Sequence, residues 1–378
     1  MHNSRERVRK NMLPTECSPY KLERNDLENL KDVSIYVGGA CNFNCRYCDR
    51  DFIKKTGVQK MEFDQDLAAF LLAIYQTGAE PMISFHGGET LLYIDTIKKI
   101  VKSMVDEGGF NARFYIQTNG SLILKNAEFF RQYKDYLYVS ISYDFHFQLE
   151  NRTEFGIHET LQFLDDLNID KQLQYVIPTN RKEAFDVEVF SSIVNLYKKY
   201  RINSLNLILL RHQRGLEEFK TIIAGDDVDL KRLFSSFLQF VQLLYVSGIN
   251  VALDGHSQEI DKDYYSNHKQ VVLAPDGYIY PEYQFIEYKY PEFRLGQWRA
   301  PFKLERNHFR PEGLAKIRPQ CIQCPKRNVC GLQYYYAMFD MDPPRPDKCS
   351  SFYSYMEFSL NHLFKLKRHR SLLESIGI

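Results

Sequence analysis

From Val33 onward, short apolar runs alternate with amphipathic stretches in which apolar residues recur at helical spacing. That alternation predicts consecutive strand–helix units and a parallel sheet. Six strands are predicted: Val33 to Val37, Pro81 to Phe85, Ala112 to Thr118, Leu137 to Ser142, Leu173 to Ile177 and Ser204 to Leu210. Between them, Leu67, Phe70, Leu71 and Ile74 share one helical face, with Asp64 placed to cap the helix, and Ile97, Ile100, Val101 and Met104 share another. A longer helical pattern spans Leu230 to Val246.

After about Gly248 the texture changes. Pro275-Asp276-Gly277 stands between two strand-like runs, which reads as a hairpin, and the remainder is rich in Pro, Tyr and Cys before a predicted helix from Tyr353 to Leu366. A chain of 378 residues has room for two domains. The expected division is an extension over 1–30, a barrel domain over 31–248, a smaller domain over 249–352 and a terminal helix and tail over 353–378. Lys+Arg 49 against Asp+Glu 48 leaves a net charge of +1, so no overall field draws the chain to nucleic acid or to an anionic membrane. Neither a signal peptide nor a membrane-spanning run is visible, and a cytoplasmic location is the expectation.

The cysteines change the picture most. Seven of the eight form two tight groups, and Cys17 stands alone as a small buried hydrophobe by expectation. A large chain without an export signal points away from disulfides and toward metal. Cys41, Cys45 and Cys48 follow the first predicted strand directly, on a loop at the carboxyl edge of the sheet, where barrel folds place their active sites. Three thiolates at this spacing can hold three irons of a cubane cluster and leave the fourth open; a zinc knuckle completed by Asp49 or Asp51 is the alternative. Cys321, Cys324, Cys330 and Cys349 make a complete four-thiolate set, suited on chemistry alone to zinc or to a four-iron cluster.

The segment Gly-Ala-Cys-Asn-Phe-Asn-Cys-Arg-Tyr-Cys, with three then two residues between cysteines and an aromatic before the last, resembles the radical S-adenosylmethionine superfamily. The resemblance implies a [4Fe–4S] cluster on Cys41, Cys45 and Cys48, whose open iron chelates S-adenosylmethionine, with Tyr47 beside the adenine. Gly87, Gly88 and Glu89, at the end of the second strand, resemble the family's motif for the methionine ammonium. Gln117 to Gly120 and Ser140 to Asp144 resemble segments that line the nucleoside pocket, with Ser142 the candidate hydrogen-bonding group; a strand-end cap is its other reading. Ile177-Pro178-Thr179-Asn180 occupies a place where the family often touches adenine. His86 adjoins the motif and is expected to support it from behind.

The later cysteines, the Pro275-Asp276-Gly277 hairpin and Phe293-Arg294-Leu295-Gly296 resemble the SPASM/twitch extension of peptide and protein maturases, so the likeness covers roughly residues 31 to 350. It implies an auxiliary [4Fe–4S] cluster on Cys321, Cys324, Cys330 and Cys349. Where the family has cysteines for an inner cluster this chain has Glu282 and Tyr334, so that cluster is expected to be absent, and Tyr283 in place of an acidic residue argues against formylglycine formation. Tyr334, Tyr335 and Tyr336 read as packing residues.

The expected fold is therefore an incomplete parallel (β/α)6 TIM-type barrel with a carboxyl-terminal iron–sulfur extension. The expected function is hydrogen abstraction from a peptide or protein side chain, with an electron donor such as flavodoxin or ferredoxin and a separate peptide-recognition partner. A small-molecule radical dehydrogenase or rearrangement enzyme, and a non-catalytic iron–sulfur or zinc scaffold, are the alternatives.

Overall fold

The computed structural model describes residues 30–45, 47–48, 59–177, 182–209, 227–253, 270–287, 289–304, 319–323 and 365–368. Six parallel strands form its centre: β1 (Asp32–Gly38), β2 (Met82–Gly87), β3 (Phe114–Thr118), β4 (Leu137–Ser142), β5 (Asp170–Ile177) and β6 (Ser204–Leu209). Their order in the sheet follows their order in the chain, as successive crossovers of one hand produce. The connecting helices are α1 (Gln65–Gln76), α2 (Ile94–Lys102), α3 (Ala127–Tyr133), α4 (Ile157–Asp166), α5 (Val187–Lys199) and α6 (Asp227–Val246). This is the α/β barrel architecture expected.

The strands have two unlike faces because side chains alternate along them. Toward the helices point Val33, Ile35 and Val37, Ile83 and Phe85, Phe114 and Ile116, Val139 and Ile141, and Leu205 and Leu207, all without exposed surface. Each such side chain contributes roughly 1.5–3 kcal/mol by leaving water. The concave face is polar and hydrogen-bonded across strands. Gln117 Nε2 donates to Gln174 Oε1 (3.1 Å), Gln172 Nε2 to the Tyr115 hydroxyl (2.8 Å), and Ser84 Oγ to Asp32.

The helices meet this sheet as their periodicity requires. Leu67, Phe70, Leu71 and Ile74 of α1 are buried, and the Asp64 carboxylate caps the helix by accepting from Leu67 N at 2.9 Å. In α2 Ile97, Ile100 and Val101 are buried, and a single π turn over Ser103–Glu107 carries Met104 into the same core.

Six strand ends differ from expectation. β1 is one residue longer at each end, β2 begins at Met82 and runs on through His86 to Gly87, β3 begins at Phe114, and β5 begins at Asp170; Leu210, the expected end of β6, lies outside the described residues. At β5 the cause is Lys171, a charged residue inside the strand that is 1% exposed and neutralised by Asp165 of α4 at 3.0 Å.

Beyond α6 the chain returns to the sheet at both ends. β7 (Val251–Leu253) adds in parallel to β6, and β8 (Gln270–Leu273) adds in parallel to β1, with Asp32 opposite Gln270 and Ile35 opposite Leu273. The expected hairpin is present: β9 (Tyr278–Tyr280) runs antiparallel to β8, with Gly277 at φ +89° in the turn. β10 (Gly296–Gln297) and β11 (Lys303–Leu304) bring the sheet to eleven strands among the described residues. Trp298 has no exposed surface and donates from Nε1 to Ala274 O at 2.8 Å. Residues Lys365 to Arg368 are helical, and Cys17, Thr179, Asn180, Tyr334 to Tyr336 and the helix predicted from Tyr353 onward otherwise lie outside the described residues. No helix among the described residues is long and apolar enough to cross a membrane.

Candidate active site

The loop after β1 is strapped to the loops after β2 and β3. Gly88 N donates to Gly38 O and Glu89 N to Ala40 O, each at 2.8 Å. A Cβ on Gly87 would overlap the Gly38 carbonyl oxygen, and one on Gly88 that of Ala40. Two glycines therefore stand where two backbones touch. Tyr93 closes the other side: its ring lies where a Cβ of Gly38 would fall, and its hydroxyl accepts from Ala40 N at 2.8 Å.

Glu89 is fully buried. Its Oε1 accepts from Thr118 Oγ1 (2.6 Å) and Leu91 N (3.0 Å), and its Oε2 accepts from Asn119 N (2.7 Å). Burial pushes its carboxyl pKa up, and these donors oppose that rise. Asn119 carries the connection onward, donating to Asn42 Oδ1 at 2.9 Å and approaching Cys41 Sγ at 4.0 Å. Glu89 thus ties the ends of β2 and β3 to the cysteine loop.

Cys41, Cys45 and Cys48 are partly exposed, with Cys48 N donating to Cys45 O at 3.0 Å in a tight turn. Cys41 Sγ accepts from Phe43 N at 3.4 Å. Among the described residues no three His, Cys, Asp or Glu side chains converge on a single ion. A cubane needs no such convergence, since each thiolate meets a different iron. Three thiols on one short loop, with N–H donors already approaching Cys41 Sγ, fit that group. Burial raises the Cys45 thiol to about 12, with the Arg152 charge opposing; coordination to a metal removes the proton outright.

Tyr47 is 8% exposed and fixed at its hydroxyl, which donates to Asp144 Oδ2 at 2.8 Å and accepts from Arg152 Nη1 at 2.5 Å. Burial first, then the Asp144 charge, hold this phenol well above its ordinary pKa, so it stays protonated. Ser142 ends β4 on the same edge, and its Oγ reaches Gln174 Oε1 at 3.4 Å. His86 Nδ1 lies 2.9 Å from Gln117 Oε1, and its ring lies parallel to that of Tyr283, 5.9 Å between centroids. Burial lowers its pKa, which favours the neutral imidazole, while Asp32 pulls the other way.

The structure therefore gathers Cys41, Cys45, Cys48, Tyr47, Gly87, Gly88, Glu89 and Ser142 at the carboxyl edge of the sheet. Cys321 lies in the short helix Pro319–Ile322 with its side chain outside the described residues, as are Cys324, Cys330 and Cys349. Sequence reasoning missed Tyr93, Asp144 and Arg152 as site residues. Asp144 ends a segment the sequence did single out, whereas Arg152 and Tyr93 carry no periodic or motif signal.

An open parallel barrel with three closely spaced cysteines braced at its carboxyl edge is an arrangement suited to holding an iron–sulfur cluster. Residues 35–163 match the Radical SAM superfamily, a match that implies a [4Fe–4S] cluster and S-adenosylmethionine for that part of the chain. The radical SAM cyclopropyl synthase TigE of Paramaledivibacter caminithermalis is 23% identical over 200 residues, 48% of this chain and 42% of TigE. The chain thus matches less than half the length of that curated relative. Among solved structures, native anSMEcpe with bound AdoMet superposes with a TM-score of 0.62 at 16% identity, covering 89% of this chain and 99% of that one. Streptococcus suis SuiB bound to S-adenosylmethionine gives 0.55 at 16% identity, covering 81% and 74%. At these identities the likeness establishes the shared fold.

Proposed function

We propose that this chain abstracts a hydrogen atom from a side chain of a peptide or protein, with a [4Fe–4S] cluster on Cys41, Cys45 and Cys48. Bound there, cluster and S-adenosylmethionine supply a 5′-deoxyadenosyl radical by one-electron cleavage of the sulfonium bond. Tyr47, the backbone of Gly87 and Gly88, Glu89 and Ser142 form the cofactor's surroundings. The observation that carries the peptide reading is the polar concave face, where Gln117, Gln174, Tyr115 and His86 form a hydrogen-bonded polar wall suited to lie against a substrate rich in backbone amides. It is supported by the fold shared with anSMEcpe, solved with the Cp18Cys peptide, and SuiB, solved with precursor peptide SuiA.

An auxiliary [4Fe–4S] cluster on Cys321, Cys324, Cys330 and Cys349 belongs to the same proposal, in a smaller unit over 249–352, as staple or electron relay. So do an electron donor of flavodoxin or ferredoxin type and a separate peptide-recognition protein. A small-molecule or ring-forming outcome is the second reading, favoured by the match to a cyclopropyl synthase.

The test is anaerobic reconstitution followed by a reductant-driven assay for 5′-deoxyadenosine. The wild-type chain should bind about eight irons and form the product, and Cys45→Ala should form none. Full cleavage by Cys45→Ala, or zinc in place of iron on the wild-type chain, would overturn the proposal.

A further inference from the structure

Arg152 is a charge that the proposed function leaves unused. It follows the short helix Gln148–Asn151, and its guanidinium faces both halves of the cysteine loop, 6.0 Å from the ring of Phe43 and 5.9 Å from that of Tyr47. Phe43 lies between Cys41 and Cys45, and Tyr47 between Cys45 and Cys48. One edge of the guanidinium is clamped, since Nη1 donates to the Tyr47 hydroxyl, which donates in turn to the fully buried Asp144. Its Nε is buried without an acceptor. A buried guanidinium with an unfilled donor is unfavourable unless negative charge stands nearby. Of the charges acting on Cys45, that of Arg152 is the strongest, ahead of Cys48 and Asp144.

A cubane held by three thiolates would add negative charge beside Arg152 to that of Asp144, and more of it after taking up an electron. We infer that Arg152, clamped by Tyr47 and Asp144, is the counter-charge of the cluster on Cys41, Cys45 and Cys48 and raises the potential at which that cluster accepts its electron. Net charge around a cluster is one of the determinants of its potential, and a fixed buried cation favours the more negative state. Asp144, joined to Arg152 through the Tyr47 hydroxyl, opposes this effect. Arg152 acts here as a positioning and tuning residue, and the inference rests on the proposal that these three cysteines hold the cluster.

The test is an anaerobic redox titration with dithionite and mediators, followed by electron paramagnetic resonance, on reconstituted full-length protein. The signal followed is the one that changes when S-adenosylmethionine is added. Arg152→Met should lower the midpoint potential, Asp144→Asn should raise it, and Arg152→Lys should stay near wild type, with iron per chain unchanged. The opposite signs separate electrostatics from general loosening of the loop, which would move both variants the same way. An unchanged or raised potential in Arg152→Met at wild-type iron content would overturn the inference, as would parallel shifts of Arg152→Met and Asp144→Asn. If Arg152→Met takes up no iron, an unchanged potential in Asp144→Asn overturns it instead. A wild-type chain that binds no iron on these cysteines removes the proposed function itself, and the inference with it.

Discussion

Gly88 has its side-chain space filled by the backbone of the cysteine loop, whose Ala40 carbonyl accepts from the next residue, Glu89. Gly88→Ala must therefore drive the loop after β1 away from the end of β2. The expected cost is about 1–3 kcal/mol, the range for overpacking a tight site, with a matching loss of iron bound per chain. Gly109→Ala is the control. Gly109 has φ +65° with open space around it, so only backbone strain of about 1 kcal/mol applies and iron uptake should stay at the wild-type level. Urea unfolding and iron counting on both variants check the pair. The Gly-Gly-Glu segment was legible in the sequence, but the reason for its glycines was not, because it is the approach of residues 38–40 from another loop. The Tyr47 network was half legible for the same reason: its partners Asp144 and Arg152 lie 97 and 105 residues away.

At the scale of elements, short apolar runs exposed all six central strands, and Leu137–Ser142 was placed to the residue. That signal failed at the start of β5, where Asp170-Lys171-Gln172 reads as a polar turn. Lys171 can occupy the helix-facing side only because Asp165 of α4 accepts from its Nζ, and Asp165 also accepts from Arg201 N at 3.0 Å and Nε at 3.1 Å. Asp165→Ala leaves the buried ammonium uncompensated and is expected to cost about 3 kcal/mol near neutral pH, as breaking a buried pair does. Burial alone would raise the Asp165 pKa, but the bonds from Lys171 and Arg201 outweigh it and hold the carboxyl below its ordinary value. A depressed folded-state pKa stabilises fully above the unfolded value of about 3.9 and ceases to do so as pH falls through the folded value. The stability gap between wild type and Asp165→Ala should therefore be widest near neutrality and close in acid; a gap that persists unchanged to pH 2 would show that lost packing, and not charge, sets it.

The whole molecule departs most from what periodicity alone conveys, because a change of texture near Gly248 does not divide the sheet. β8, on the far side of that change, is the parallel neighbour of β1, covering the edge from Asp32 to Ile35. Val272 and Leu273 have no exposed surface, and Trp298 and Leu295, farther along, join the same core as Val33 and Phe85. Sequence reading recognised the hairpin from its turn but not its attachment, since parallel pairing between residues 32 and 270 leaves no local signal. A chain ending at Leu253 would open the β1 edge to other molecules and strip apolar cover from the strand that carries the cysteine loop. It should elute as aggregate in size-exclusion chromatography and lack a cooperative thermal transition. Trp298→Ala in the full chain, which keeps the edge covered but empties an indole-sized volume, should instead retain one transition and lose about 3–5 kcal/mol. A monomeric, cooperatively unfolding 1–253 would mean that β8 caps a barrel already complete without it. The contrast between the two variants tells whether the strand seals the barrel or merely lies on it: sealing makes truncation far worse than the indole cavity, and mere contact makes the two alike.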